Sequence, residues 1–233
     1  MLEKSEDDEL PYSAWELSKW IPDFDRLVDQ LLQGITDFTY EATYPGRRAW
    51  LNPGEMYYFR PDKDRVAKHI RNFLKACHEA IVKGQGKSTF VEDNTWTILF
   101  ASELLDLVGG GKLIHMVRDP RDVVASLLKQ RWTPNTLEKV LTYYEDIMQT
   151  WWKQKKLLEA DQFLEVRLED MLDDPSQIVK SICEFVNLEY ESPLLEIDLS
   201  KGNKGRYKDA FSRAEIDVME RFLEPYILHY NYK

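Results

Sequence analysis

The chain has 233 residues, 43% hydrophobic and 31% charged, an ordinary balance for a globular protein and enough for one domain with a full core. With 41 acidic against 31 basic residues its formal net charge is -10, which excludes a surface that binds nucleic acid by general phosphate attraction. No apolar run approaches the ~18 residues of a membrane span, and the opening "MLEKSEDDEL" is too acidic for a signal peptide, so a cytoplasmic protein without a membrane partner is expected.

Residues 1–60 carry the weakest pattern. A short helix is expected around "DFDRLVDQLLQGI", followed by the aromatic, Pro/Gly-punctuated stretch "YPGRRAWLNPGEMYYFRP", which reads as loop. From Pro61 onward Val66, Ile70, Phe73, Leu74, Cys77 and Ile81 recur at helical spacing until Gly84 and Gly86 end the run. "STFVED" then reads as a strand, "TWTILFASELLDLVG" as a helix closed by glycines, and "KLIHMV" as the next strand. That order predicts a parallel sheet with a right-handed crossover. "VGGGK" ends a helix and begins a strand, the reverse of a phosphate-binding loop, so it is a helix terminator.

Beyond the second strand a short helix is expected over "RDPRDVVASLL". Asn135 and Glu138 are spaced as a capping box for a long helix whose face is marked by Leu137, Leu141, Tyr144, Met148 and Trp151. "DQFLEVRLEDML" gives another strand, and "DPSQIVKSICEFVNL" a helix with Pro175 in its first turn. The tail combines a glycine-bearing basic loop, "LSKGNKGRYKD", with a final helix. The whole, residues 1–233, is expected to form a single domain, and Cys77 and Cys183 read as buried thiols in a reducing compartment.

The corner "VRDPRD" concentrates charge where a strand gives way to a helix. Asp119 suits the N-cap, Pro120 the first helical position, and Asp122 the positive end of the helix. Arg118 and Arg121 oppose the helix dipole, so they serve another purpose. Two readings stand: a grip on an anion beyond the strand's carboxyl end, with Ser126 two turns on adding a hydroxyl, or ion pairs with nearby acids.

This corner resembles the 3′-phosphate-binding motif of sulfotransferases that use 3′-phosphoadenosine 5′-phosphosulfate (PAPS), a strand running into R-D-P-R-x-V-x-x-S. Arg118, Asp119, Pro120, Arg121, Val123 and Ser126 match it. "FVEDNTWTILFASELLDLVGGGKLIHMVRDPRDVVAS" follows that family's strand, helix, strand layout. "FLEVRLEDMLDDPSQIVKSICEFVNLEY" looks like its later strand, acidic turn and helix, and "KGRYKD" like its C-terminal G-R-W/Y loop, so the resemblance covers residues 88–233.

The resemblance implies an α/β fold, a parallel β-sheet flanked by helices of the P-loop nucleotide-kinase kind. It implies PAPS as donor, adenosine 3′,5′-bisphosphate as product and no metal. Arg118 and Ser126 would bind the 3′-phosphate, with Gly205 and Arg206 closing over it. The acceptor would be a hydroxyl or amine of a small molecule, glycan or peptide.

Two departures qualify it. The family's glycine-rich loop, G-x-P-R-S-G-T-T after the first strand, has no counterpart in residues 1–60, so the first strand and its phosphosulfate loop are expected to be lacking. At "VEDNTW" many members have E-K-T-P, with the lysine facing the transferring group; here Asp93 takes the lysine position, or Asn94 in a register one residue later. Candidate bases are Glu55, because "GEMYYF" resembles the family's E-x-x-F-F stretch, and Asp93 or Glu92. The histidines are scattered and no spacing suggests a metal site. A P-loop kinase is disfavoured because G-x-x-x-x-G-K-[ST] does not occur. The alternative to an active enzyme is a non-catalytic relative that binds the bisphosphate or a protein partner.

Overall fold

The computed structural model describes residues 17–42, 54–58, 62–196, 199, 202 and 204–232. The chain divides into two compact units, Met1–Asn94 with Asp106–Gly110, and Thr95–Leu105 with Gly111–Lys233.

The first unit holds α1 (Leu17–Trp20), α2 (Phe24–Ile35), β1 (Phe38–Ala42), β2 (Gly54–Tyr58) and α3 (Lys63–Gly84). α3 starts where Asp62 accepts a hydrogen bond from the Arg65 amide at 2.8 Å, a side-chain cap that satisfies one of the open N–H groups of the first turn. Its apolar stripe packs on α2: Ile21, Leu27 and Cys77 are buried together, with Phe24, Phe73, Ala76 and Ile81 against them. The helices approach closely at Gly34, where a Cβ would stand 2.1 Å from the His69 ring.

Two expectations fail in this unit. The aromatic stretch read as loop carries β2, which pairs antiparallel with β1 from Phe38 opposite Tyr58 to Ala42 opposite Gly54. Tyr57 and Tyr58 favour a pleated surface, and the partner strand supplies the hydrogen bonds. "STFVED", expected as a strand, is irregular and pairs with nothing among the described residues. A strand needs a neighbour for its amides and carbonyls. Here Val91 is 80% exposed and Phe90 stacks instead on His78, ring centroids 4.1 Å apart. The crossover expected between it and "KLIHMV" is therefore absent.

In the second unit a 3-10 turn at Thr97–Phe100 leads into α4 (Ala101–Val108), whose residues from Asp106 on are counted with the first unit, and β3 (Leu113–Val117), α5 (Pro120–Leu127) and α6 (Leu137–Lys155) follow. β4 (Phe163–Arg167), α7 (Leu168–Asp173), α8 (Pro175–Phe185), α9 (Tyr207–Ala210) and α10 (Arg213–His229) complete it. β3 and β4 run parallel, from Leu113 opposite Phe163 to Val117 opposite Arg167. The fold class is thus α/β, a parallel strand pair flanked by helices, as the sequence implies.

Helices α5, α6 and α10 share one core in which Val124, Val140, Leu141, Trp151, Met219, Leu223 and Tyr226 are all but sealed from solvent. The long helix begins one residue later than the spacing predicts. Thr136 is its N-cap, without a side-chain cap bond, so Glu138 falls at the second helical position and the expected Asn135/Glu138 capping box does not form. The capping box lies instead on α10, where Ser212 and Glu215 bond each other's backbone amides.

Glu165 ties the strand pair to the helices. Its carboxylate accepts from Trp151 Nε1 and from the Tyr230 hydroxyl, each at 2.8 Å, and from the Lys155 ammonium, with His115 Nδ1 at 3.5 Å. Burial opposes its charge, but hydrogen bonds from His115, Lys155, Trp151 and Tyr230 outweigh it and hold the carboxyl well below the usual range. The same bonds satisfy the indole N–H of the fully buried Trp151. Among the described residues no helix is long and apolar enough to cross a membrane.

Candidate functional site

The corner between β3 and α5 is built from acids that each hold something. Asp119 caps α5 by accepting from the Arg121 amide at 2.9 Å, while Pro120 takes the first helical position. Glu169 fixes the approach to the helix, its Oε1 accepting from the Asp119 amide at 3.0 Å. Both side chains are buried, so the backbone of the corner is held from two directions.

The two arginines part company here. Arg121 is 4% exposed and forks onto Asp119, with Nε 3.0 Å from Oδ1 and Nη2 2.7 Å from Oδ2. Its Nη1 donates to Glu220 at 2.9 Å, and its guanidinium lies 4.5 Å from the Tyr207 ring centroid. Burial works against this charge, yet the bonds to Asp119 and Glu220 more than offset it and raise the pKa further. Ion pairing with nearby acids, one of the two readings open for the arginines, describes Arg121 and, through a longer contact, Arg118 as well. Arg118 is partly exposed, and its Nη2 lies 3.4 Å from Asp122 Oδ2.

Asp122 is 1% exposed and reaches across to the C-terminal loop. Its Oδ2 accepts from the Gly205 amide at 2.7 Å and its Oδ1 from the Tyr207 amide at 3.0 Å. Arg118 and Gly205 therefore meet on a single carboxylate oxygen. Gly205 has φ +79°, a left-handed turn that glycine adopts without steric cost. Arg206, between the two held amides, is exposed and leads into α9. Ser126 is exposed one turn beyond Asp122 on the same stripe of α5.

Arg118, Ser126, Gly205 and Arg206 thus all belong to the second unit, and Asp122 links Arg118 directly to Gly205. Glu55 and Asp93 belong to the first unit. Glu55 sits on β2 opposite Glu41 of β1, and Asp93 is exposed in the irregular segment beside Asn94, whose amide donates to Glu92 at 3.4 Å. Sequence reasoning missed Asp122 and Glu169 as the groups that hold the corner. Their partners lie 83 and 50 residues away, beyond the reach of any local spacing. Among the described residues no cluster of His, Cys, Asp and Glu is arranged to hold a metal ion.

Comparison with known proteins adds three findings. No curated protein matches the chain. Among solved structures, the sulfotransferase domain from the curacin biosynthetic pathway is similar at 19% identity and a TM-score of 0.44, over 64% of this chain and 56% of that one. The chain therefore spans little more than half the length of that domain. The sulfotransferase family matches residues 1–192, reaching into the N-terminal stretch where the sequence pattern is weakest and ending before the Gly205–Arg206 loop. With four-fifths of its length matched, the chain belongs to the sulfotransferase family.

Proposed function

We propose that this protein moves a sulfuryl group from PAPS to a hydroxyl or amine of a small-molecule, glycan or peptide acceptor, releasing adenosine 3′,5′-bisphosphate without a metal. Family membership supports sulfuryl transfer as the reaction class. The donor assignment rests on one observation: Arg118 and the Gly205 amide converge on Asp122 Oδ2, so a guanidinium and a cationic loop are assembled at the carboxyl end of β3. Arg118 and Ser126 offer the charge and the hydroxyl that a 3′-phosphate requires, and Gly205 with Arg206 covers it.

In the transfer itself the acceptor oxygen or nitrogen attacks sulfur in line, and the bond from sulfur to the 5′-phosphate oxygen breaks. A base removes the acceptor's proton, a role for which Glu55 and Asp93 are the candidates. Free, buried Cys77 and Cys183 accord with a reducing, cytoplasmic setting. A second reading, a relative that binds the bisphosphate or a protein partner without transfer, is favoured by Asp93 standing where many members of the family carry lysine.

Titration calorimetry separates these from other anion binders. Adenosine 3′,5′-bisphosphate should bind more tightly than AMP by the worth of a charged hydrogen-bonded contact, ~1.5–3 kcal/mol. Equal affinities would sink the donor assignment. Label transfer from PAPS to an acceptor panel then divides enzyme from binding-only relative.

A further inference from the structure

We propose that Asp122 is a positioning residue of the nucleotide site: its buried carboxylate holds the Gly205–Arg206 loop against the start of α5, so that Arg118 and Arg206 face one 3′-phosphate. The inference rests on the donor reading above.

A carboxylate as deeply buried as Asp122 needs hydrogen bonds and a counter-charge in place of water. Two of those bonds come from backbone amides two residues apart, Gly205 and Tyr207, one to each oxygen. Such a two-point attachment fixes the direction of the loop as well as its position. Arg206 is the residue between the two points, exposed and carried by backbone that cannot swing away. The counter-charge is Arg118, so the carboxylate that fixes the loop also orients the second cation.

Other attachments of the loop do less to place Arg206. Lys204 pairs with Asp173 at 3.0 Å, but both side chains are more than half exposed, where ion pairs contribute little. The Tyr207 ring lies against the Arg121 guanidinium, a contact that anchors α9 and leaves the Gly205 turn untouched. A carboxylate that served only the helix dipole would have no reason to be spent on a loop more than eighty residues away.

The test compares wild type with Asp122→Asn, which keeps the volume and removes the charge and one acceptor. Residue-resolved amide exchange is measured on the nucleotide-free full chain, and calorimetry is run with adenosine 3′,5′-bisphosphate and with AMP. In wild type the Gly205 and Tyr207 amides should be protected; in the variant they should exchange faster while amides of α6 keep their rates. The preference for bisphosphate over AMP should fall about tenfold with AMP affinity unchanged. Unaltered exchange at Gly205 and Tyr207, or a loss that is equal for both nucleotides, overturns the inference. Unprotected Gly205 and Tyr207 amides in wild type overturn it without any variant. A wild type that shows the protection but binds both nucleotides alike refutes the donor reading instead, and the nucleotide role of Asp122 with it.

Discussion

Arg121 and Asp119 lock onto each other through two parallel hydrogen bonds, of 3.0 and 2.7 Å, at a corner where both side chains are buried. Replacing Arg121 by alanine strands the Asp119 charge in a largely buried site, and loss of one partner from a buried pair costs ~3–5 kcal/mol. Arg118 touches its acid through one longer contact of 3.4 Å and leaves Asp122 two backbone amides, so Arg118→Ala should cost less. Denaturant melts of the two variants should therefore rank Arg121→Ala below Arg118→Ala in stability. Nucleotide affinity should rank them the other way, with the 3′-phosphate preference lost in Arg118→Ala.

Arg206 projects from a loop whose backbone is held by other residues, and its side chain is exposed. Arg206→Ala should weaken bisphosphate binding while the melting temperature of the free protein barely moves, because exposed substitutions usually stay within about ±0.5 kcal/mol. A large fall in melting temperature would mark Arg206 as a structural residue.

Acid stability should depend on Glu165. Its folded-state pKa is depressed, so the unfolded chain takes up a proton first as pH falls. The stabilisation is fully present above the ordinary glutamate value of about 4.3 and drains away below it. Melting temperatures of wild type should hold from pH 7 to about 5 and then drop toward pH 3. Glu165→Gln should start lower, because the Lys155 ammonium and His115 lose their carboxylate, and its curve below about pH 4.3 should be flatter. Parallel curves for the two proteins would place the acid-sensitive group elsewhere.

What could be read from the sequence was what neighbouring residues decide. α3 follows from the apolar repeat Val66 to Ile81, and α8 from Pro175 in its first turn. β3 announces itself as a short apolar run ending at the charged corner, and β4 as a short stretch with Phe163, Leu164 and Val166 apolar. Pairing is another matter. "STFVED" has the composition of a strand but no neighbour, and β2 lies in a stretch whose prolines and glycines pointed to loop. At the corner the acids and the proline were legible as caps, whereas the division between Arg121 and Arg118 was not. It depends on Glu220 and Tyr207, which the fold brings back from the far end of the chain.

The riskiest expectation concerns the chemistry, because the residues available for it are fewest. The resemblance aligns Asp93, or Asn94 one residue on, with a position where many members of the family carry a lysine, and residues 1–60 hold no stretch like its glycine-rich phosphosulfate loop. Positive charge fixed where the leaving phosphate gains charge is worth ~10²–10³ in rate for each donor removed. Residues 1–233 on their own should therefore bind the bisphosphate yet turn PAPS over slowly. If Asp93 or Glu55 takes the acceptor's proton, Asp93→Asn or Glu55→Gln should lower whatever turnover remains by ~10²–10⁴ while leaving bisphosphate affinity intact. Restoring a lysine tests the opposite role for the same position. Asp93→Lys should raise turnover if the site lacks a cation, and should abolish it if Asp93 is the base. Single-turnover transfer of labelled sulfuryl reads all three variants, and brisk turnover unaffected by any of them would move the reacting centre away from both Glu55 and Asp93.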